Sequence, residues 1–347
     1  MASTEIREYC GDFEDLVELN RRVWIPEYSG RMWFSLPNSP TLSFWAKGGG
    51  CLAAYHGTEV VGCIFSIPYS LRIGASVVPS ALITGFTVDP NHRRVAMPLL
   101  KRLVRLHEER GIAFGLGAIA GDQTSQSYRF WTKYSRVFPN RVHFLCRTGH
   151  WFKILAPGPV SRAGITTWER VAGRTLGHVL RFTPPASDMH VRACGRGDLE
   201  RCAEMLANAS ANFDWAMVWS PKQLASELED PACETLVFEH EGDVRGVVRY
   251  RRFLTYGRAP VHTAAMDLWA DDGLTGPQRV RLLSRVCNHL RARDVHILLA
   301  VKCAMMPASA FVANLFLPPL AQLHVAALST RPGLEPAPPK TWSLVLS

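Results

Sequence analysis

Residues 82–110 restrict the fold of this chain more than any other stretch. An apolar, β-branched run, Leu82-Ile83-Thr84-Gly85-Phe86-Thr87-Val88, stops at Asp89-Pro90, and a basic turn follows. Beyond Pro98 the residues Leu99, Leu100, Leu103, Val104 and Leu106 recur at helical spacing. The pattern predicts strand, turn, helix. Pro98 suits a first helical turn, where its fixed φ is already helical and its missing N–H is one the helix would not use. His92, Arg93 and Arg94 precede it. Guanidinium groups, free amide hydrogens and the positive end of a helix dipole would converge there, which predicts a site for a phosphate or pyrophosphate. A basic surface turn with no ligand is the plainer reading of the turn in isolation.

Around this stretch the elements come in a regular order. A first strand is predicted over 5–10, and Asp12 then caps a helix carrying Phe13, Leu16, Val17, Leu19 and Val23. Residues 24–34 read as an irregular aromatic stretch, 41–47 as a short helix stopped by Gly48-Gly49-Gly50. Residues 51–56 and 60–70 alternate across Gly57-Thr58 as a hairpin, and 77–88 continues the antiparallel run. After the central helix come a strand at 113–120, a helix at 124–134 and a strand at 141–146.

In that order, and in the turn Arg93-Arg94-Val95-Ala96-Met97-Pro98, the sequence resembles the GNAT superfamily of acyl-CoA-dependent N-acyltransferases. The family places Arg-x-x-Gly-x-Gly/Ala between a strand and a helix and grips the CoA pyrophosphate with it. Arg93 matches, while Ala96 and Pro98 stand where glycines are preferred. The helix containing Tyr128, Phe130, Trp131 and Lys133 is similar to the family's fourth helix, with Trp131 at the tyrosine position that often serves as general acid. The resemblance implies acyl-CoA, acetyl or longer, as co-substrate, with no metal. It would be held by the strand end Phe86, Thr87 and Val88, by Arg93, Arg94, Val95, Ala96, Met97 and Pro98, and by Ser125 at the next helix.

Length and repetition extend the reading. A chain of 347 residues suits two domains. His190-Val191-Arg192-Ala193-Cys194 before Asp198 echoes Glu5-Ile6-Arg7-Glu8-Tyr9-Cys10 before Asp12. Glu239-His240 leading to Val244 and Gly246 echoes Tyr55-His56 leading to Val60 and Gly62. The elements then recur: strands at 261–269 and 296–301, helices at 277–293 and 308–317, closing strands at 324–328 and 342–346. The expected class is α/β (α+β), two tandem GNAT-like domains, each a mixed, mostly antiparallel twisted sheet flanked by helices. An acyl-CoA-binding domain would cover 1–155, a linker 156–187 and a degenerate second copy 188–347. That copy carries Asp271 and Asp272 where the first has arginines, so it should repel a pyrophosphate. The linker holds an amphipathic basic stretch, 165–182, whose basic face could meet an anionic membrane surface. Its modest apolar content favours a solvated helix packed against one domain.

Acyl transfer to an amine needs a neutral nucleophile, a cradle for the developing oxyanion and a proton for the departing thiolate. The strand before the turn offers no carboxylate. Tyr128, one helical turn from Trp131, is the candidate acid, with packing as its alternative role. Glu27 would lie over the acceptor cleft in this fold, or else is a solvated carboxylate. In two-domain relatives such as the N-myristoyltransferases the terminal carboxylate accepts the amine proton, and Ser347 is the corresponding candidate here. The acceptor would be a small-molecule amine or a peptide. A transfer to or from a carrier protein, with or without decarboxylation, and an inactive acyl-CoA-binding module are the alternatives.

Composition narrows the classes. No segment approaches the ~20 apolar residues that a membrane span needs. Nine scattered cysteines form no Cys-x-x-Cys pair and read as reduced core thiols; with no secretory leader pattern, the expected location is the cytoplasm. A net charge of +9 suits an anionic cofactor. It suits nucleic acid less, since no Lys/Arg run interleaves with aromatics.

Overall fold

The computed structural model describes residues 4–30, 33–121, 125–186, 190–330 and 336–344. The first half runs β1 (Thr4–Glu8), α1 (Phe13–Tyr28), β2 (Phe34–Leu36), α2 (Ser39–Gly48), β3 (Cys51–His56), β4 (Glu59–Ile73), β5 (Ser76–Val88), a 3-10 turn (Pro90–Val95), α3 (Ala96–Glu109), β6 (Phe114–Ala120), α4 (Gln126–Val137) and β7 (Val142–Ile154). Three short helices follow, α5 (Pro157–Ala163), α6 (Thr167–Thr175) and α7 (Gly177–Leu180). The second half repeats the first element for element: β8 (His190–Ala193), α8 (Leu199–Ser210), β9 (Trp215–Val218), α9 (Pro221–Glu227), β10 (Cys233–His240), β11 (Asp243–Tyr256), β12 (Pro260–Asp271), α10 (Gly276–Ala292), β13 (Ile297–Val301), α11 (Ala308–Ala313) and β14 (Leu317–Ser329), with β15 (Trp342–Ser343) last.

All the strands join one large, mostly antiparallel sheet flanked by helices, in the order β1-β3-β4-β5-β6-β14-β7-β13-β12-β11-β10-β8. The two expected sheets are therefore fused through an exchange. β14 lies on β6 and β7 lies on β13, so the closing strand of each half completes the other, and β7 and β14 pair with each other at the centre. The short strands are exchanged too: β2 pairs with β11 and β9 with β4. This reciprocity is an internal pseudo-twofold, as a duplicated domain that never separated would give. The seam is packed by Tyr69, Leu82, Leu116, Trp215, Val325 and Trp342, drawn from both halves.

Local chemistry agrees with most of the sequence reading. The Asp12 carboxylate accepts the Glu14 N–H at 3.0 Å and starts α1. Three expectations are corrected. Residues 24–28, read as irregular, belong to α1, which continues through Pro26 because Trp24 and Tyr28 are held by packing on their neighbours. The linker carries α5 besides the helix expected within 165–182, and that helix is divided at Leu176 into α6 and α7. The strand expected at 141–146 extends to Ile154, since its outer half pairs with β13 of the other half. Ser125 caps α4 by accepting the Tyr128 N–H at 3.2 Å.

Candidate active site

β5 and β6 run parallel but pair only at Ser80 with Phe114, Ala81 with Gly115 and Leu82 with Leu116. Beyond Leu82 they part. The cause lies in β5, where the register against β4 slips between Cys63 and Phe65 and Gly85 takes a φ of +61°. A side chain there would be strained, and its Cβ would stand 2.8 Å from the Phe65 ring. Among the described residues no pairing with β6 follows Leu82, while Ile83, Thr84, Thr87 and Val88 still pair with β4, so the β6-side main-chain groups beyond Ile83 lack a strand partner. Such groups can hold a carbonyl oxygen as it gains negative charge.

The mouth of the gap is basic. The Asp89 carboxylate caps the turn by accepting the Asn91 N–H at 2.8 Å and pairs with Arg22 at 3.2 Å, so its charge is spent inside the protein. His92 breaks the turn with φ −118° and ψ 27°, so a new helical run starts at Arg93. Arg93 and Arg94 are exposed and have no ion-pair partner among the described residues. Val95 and Ala96 are buried, Met97 packs on the α3 core, and among the described residues no side chain caps α3. An uncapped helix start with two unpaired guanidiniums favours an anion.

The expected cofactor residues on β5 and α4 are divided between the faces of the sheet. Phe86 packs on Phe130 and Trp131 of α4, ring centroids 5.4 and 6.0 Å away. Val88 packs beside Val61 and Val95. Thr87 faces α1, where its hydroxyl accepts from the Trp24 indole at 3.0 Å and donates to Asn20 at 2.6 Å. The Ser125 hydroxyl donates to the Ala120 carbonyl at 3.3 Å besides capping α4.

The candidate catalytic groups are not gathered at one point. Tyr128 sits on the α4 face, its ring 4.5 Å from His324 of β14 and 5.7 Å from Phe144. Glu27 is on α1, on the opposite face, and is hydrogen-bonded by the Tyr28 hydroxyl; burial and then the Glu27 charge push Tyr28 up to about 12. Tyr28 continues an aromatic ladder through Phe34 to Tyr256 of the second half. Ser347 lies outside the described residues. Sequence reasoning missed His324, whose pKa is lowered by burial and by Arg147. A lone histidine in an otherwise apolar closing strand was the available signal.

At the equivalent junction of the second half, Asp271 accepts three contacts of 2.7–3.1 Å from Arg279 and one of 2.9 Å from the Trp269 indole. Asp272 is bound by Arg201 and Arg245. Thr275 and Gln278 close the start of α10 with a capping box. Two groups of metal-ligand type, His262-Asp294-His296 and Glu227-Asp230-Cys233, also lie in this half, with their carboxylates already engaged by histidines or arginines. All nine cysteines are free thiols. No helix among the described residues is long and apolar enough to cross a membrane.

No protein-family model matches this chain, and no curated protein matches it. Solved structures do. N-myristoyltransferase of Saccharomyces cerevisiae with bound myristoyl-CoA superposes with a TM-score of 0.74 at 13% identity, over 95% of this chain and 79% of that one. A probable N-acyltransferase of unknown function from Enterococcus faecalis V583 gives 0.54 at 10% identity, over 94% and 73%. A GCN5-related N-acetyltransferase from Kribbella flavida gives 0.51 at 14%, over 94% and 72%. The chain has the tandem GNAT fold that its sequence resembles.

Proposed function

We propose that this chain, built on the tandem GNAT fold, is an acyl-CoA-dependent N-acyltransferase whose first half binds the CoA. The reading is carried by one observation, the uncapped, doubly basic helix start at the open end of the β5–β6 gap. The pyrophosphate would rest on Arg93, Arg94 and the amides of that turn. The pantetheine arm would follow the gap, and the thioester carbonyl would accept from the β5 main chain near Gly85 and Phe86. The amine would enter from the side of the Trp24-Tyr28-Phe34-Tyr256 ladder. The amine nitrogen bonds to the carbonyl carbon, the C–S bond breaks, the amine proton passes to a base and the thiolate leaves as a thiol.

Tyr128 is our candidate donor to the thiolate and Glu27 our candidate on the amine side. Ser347 remains the candidate terminal base. Supporting it, Trp342 and Leu344 are buried with Leu82 and Leu116, the last residues to pair before the gap opens. The acceptor class, small amine or peptide, is open. The Saccharomyces cerevisiae structure was determined with myristoyl-CoA, which supports testing a long-chain donor first.

A second reading has its own support. Trp131 is half-buried and packed on Phe86, so the family's usual acid position serves packing, as an acyl-CoA-binding module without turnover would tolerate. Free thiol release from acetyl- and myristoyl-CoA, measured against a panel of amines and glycine-initiated peptides, separates the two. Release that depends on the amine supports the transferase; saturable CoA binding with no release over any amine supports the module.

A further inference from the structure

α6 and α7 follow one another almost without interruption: Leu176 between them is helical, and the Leu176, Leu180 and Arg181 amides bond four residues back. At 100° per residue the run sorts into three arcs. Gly173, Gly177 and Leu180 form one arc, and the two glycines face the protein. A Cβ on Gly173 would stand 3.1 Å from Ser161, and one on Gly177 2.8 Å from Pro157 of α5. The helix is therefore docked by its smallest residues.

The opposite arc points outward and is apolar. Trp168 is 71% exposed, Val179 61%, Phe182 56%, and Val171 and Leu176 48% each. These are five of the ten large hydrophobic side chains that the described chain exposes, within fifteen residues. A soluble surface helix buries such an arc; this one buries its glycines and displays the arc. Arg170, Arg174, His178 and Arg181 occupy the flank between the two. Glu169, the single acid of the run, is consumed by the capping box with Thr166, by the Ile165 N–H and by Trp33. Among the described residues no carboxylate pairs with this flank, which is thus basic.

We infer that α6–α7 is an in-plane membrane anchor that seats the protein on a bilayer carrying anionic lipid. An apolar arc of Trp, Val, Leu and Phe enters the acyl boundary while the arginines meet lipid phosphates, and both requirements are met on one outward face. A second copy of this chain would bring the same arginines against each other, so charge complementarity favours the bilayer. The anchor adjoins the acceptor side, since Trp33, bonded to Glu169, immediately precedes Phe34 of the aromatic ladder. The inference concerns a surface outside the acyl-transfer site and stands without that reading.

The test uses the full chain and sucrose-loaded vesicles of phosphatidylcholine with or without phosphatidylglycerol. The chain should sediment with the anionic vesicles and lose that binding as salt rises. A Trp168→Ser/Val179→Asp variant should bind at least about tenfold more weakly, and Arg174→Gln/Arg181→Gln about tenfold more weakly on anionic vesicles, with thermal unfolding unchanged because all four side chains are exposed. Absence of binding to anionic vesicles overturns the inference. So does binding that the first variant leaves intact, or a concentration-dependent dimer of the parent chain that the same variant abolishes.

Discussion

The two β–turn–α junctions, β5 to α3 and β12 to α10, occupy equivalent places in the pseudo-twofold and use arginine in opposite ways. In the first, Arg93 and Arg94 stand exposed over a helix start, with no ion-pair partner and no side-chain cap among the described residues. In the second, the helix start is closed by Thr275 and Gln278, and Arg279 is bound to Asp271. The pattern spreads through that half, where Arg192, Arg201, Arg249 and Arg251 all answer carboxylates. Arg22, Arg102, Arg110 and Arg141 of the first half are paired as well, so the contrast belongs to the junctions: one leaves its arginines to a prospective ligand and the other binds them to its own carboxylates. The consequence is that losing a junction arginine should damage binding in the first half, whereas losing a buried, paired one such as Arg249 should damage stability.

The largest effect tests the second half. Arg249 is 1% exposed and holds Asp267 at 2.7 Å and Glu227 at 2.6 Å. Arg249→Met would take the guanidinium away from the buried Asp267 carboxylate, and breaking such a buried pair costs about 3–5 kcal/mol. Denaturant unfolding should show that loss, and a loss below about 1 kcal/mol would mean that these arginines are not structural.

A second pair of equivalent residues separates the halves by pH. His107 of α3 and Leu290 of α10 are both fully buried, and each carbonyl accepts the amide five residues on, Ile112 and Val295. Only the first is titratable. Burial lowers His107 to about 4, and Ser66 is its partner at 2.7 Å. Above pH 6.5 folded and unfolded forms are both neutral. As pH falls towards 4 only the unfolded form takes the proton, and about 3 kcal/mol of stability drains away. His107→Leu should flatten the dependence of the unfolding midpoint on pH between 6.5 and 4. Some slope should persist, since burial also lowers His150 to about 4. An unchanged slope would mean that His107 reaches water.

Arg93→Glu is the converse of the Arg249 experiment. It should weaken CoA by at least tenfold, about 1.5–3 kcal/mol for a charge-assisted contact, while leaving unfolding within about 0.5 kcal/mol. Unchanged affinity in calorimetry would remove the turn from the binding site.

How much of this could be read beforehand depends on distance along the chain. The strand-turn-helix at 82–110, the Asp12 cap and the duplication are written in local patterns, and they were legible. The exchange was not. Whether β14 pairs within its own half or on β6 depends on contacts some two hundred residues apart, and its apolar sequence serves either partner equally. The same holds for His324, which only the exchange brings to Tyr128. The aromatic stretch 24–34 misled because the contacts of Trp24 and Tyr28 hold residues 24–28 in α1 even with Pro26 inside the helix.

The smallest expected effect is the sharpest test of why the second junction is silent. Asp271 and Asp272 would repel a pyrophosphate, and repulsion alone could account for a single site. If charge were the only gate, Asp271→Asn with Asp272→Asn would free Arg279, Arg201 and Arg245 and raise the calorimetric stoichiometry towards two CoA per chain. The cap argues otherwise. The Gln278 N–H is already given to the Thr275 hydroxyl, the Thr275 N–H to the Gln278 side chain at 2.9 Å, and the three arginines converge on side chains rather than on an open helix start. Amides already bonded within the protein gain little by turning to a phosphate. The double variant should therefore lose under about 1 kcal/mol of stability, since Arg201 and Arg279 are 32% and 38% exposed in these pairs, and should still bind one CoA. A second saturable site would show that the two copies differ in charge alone.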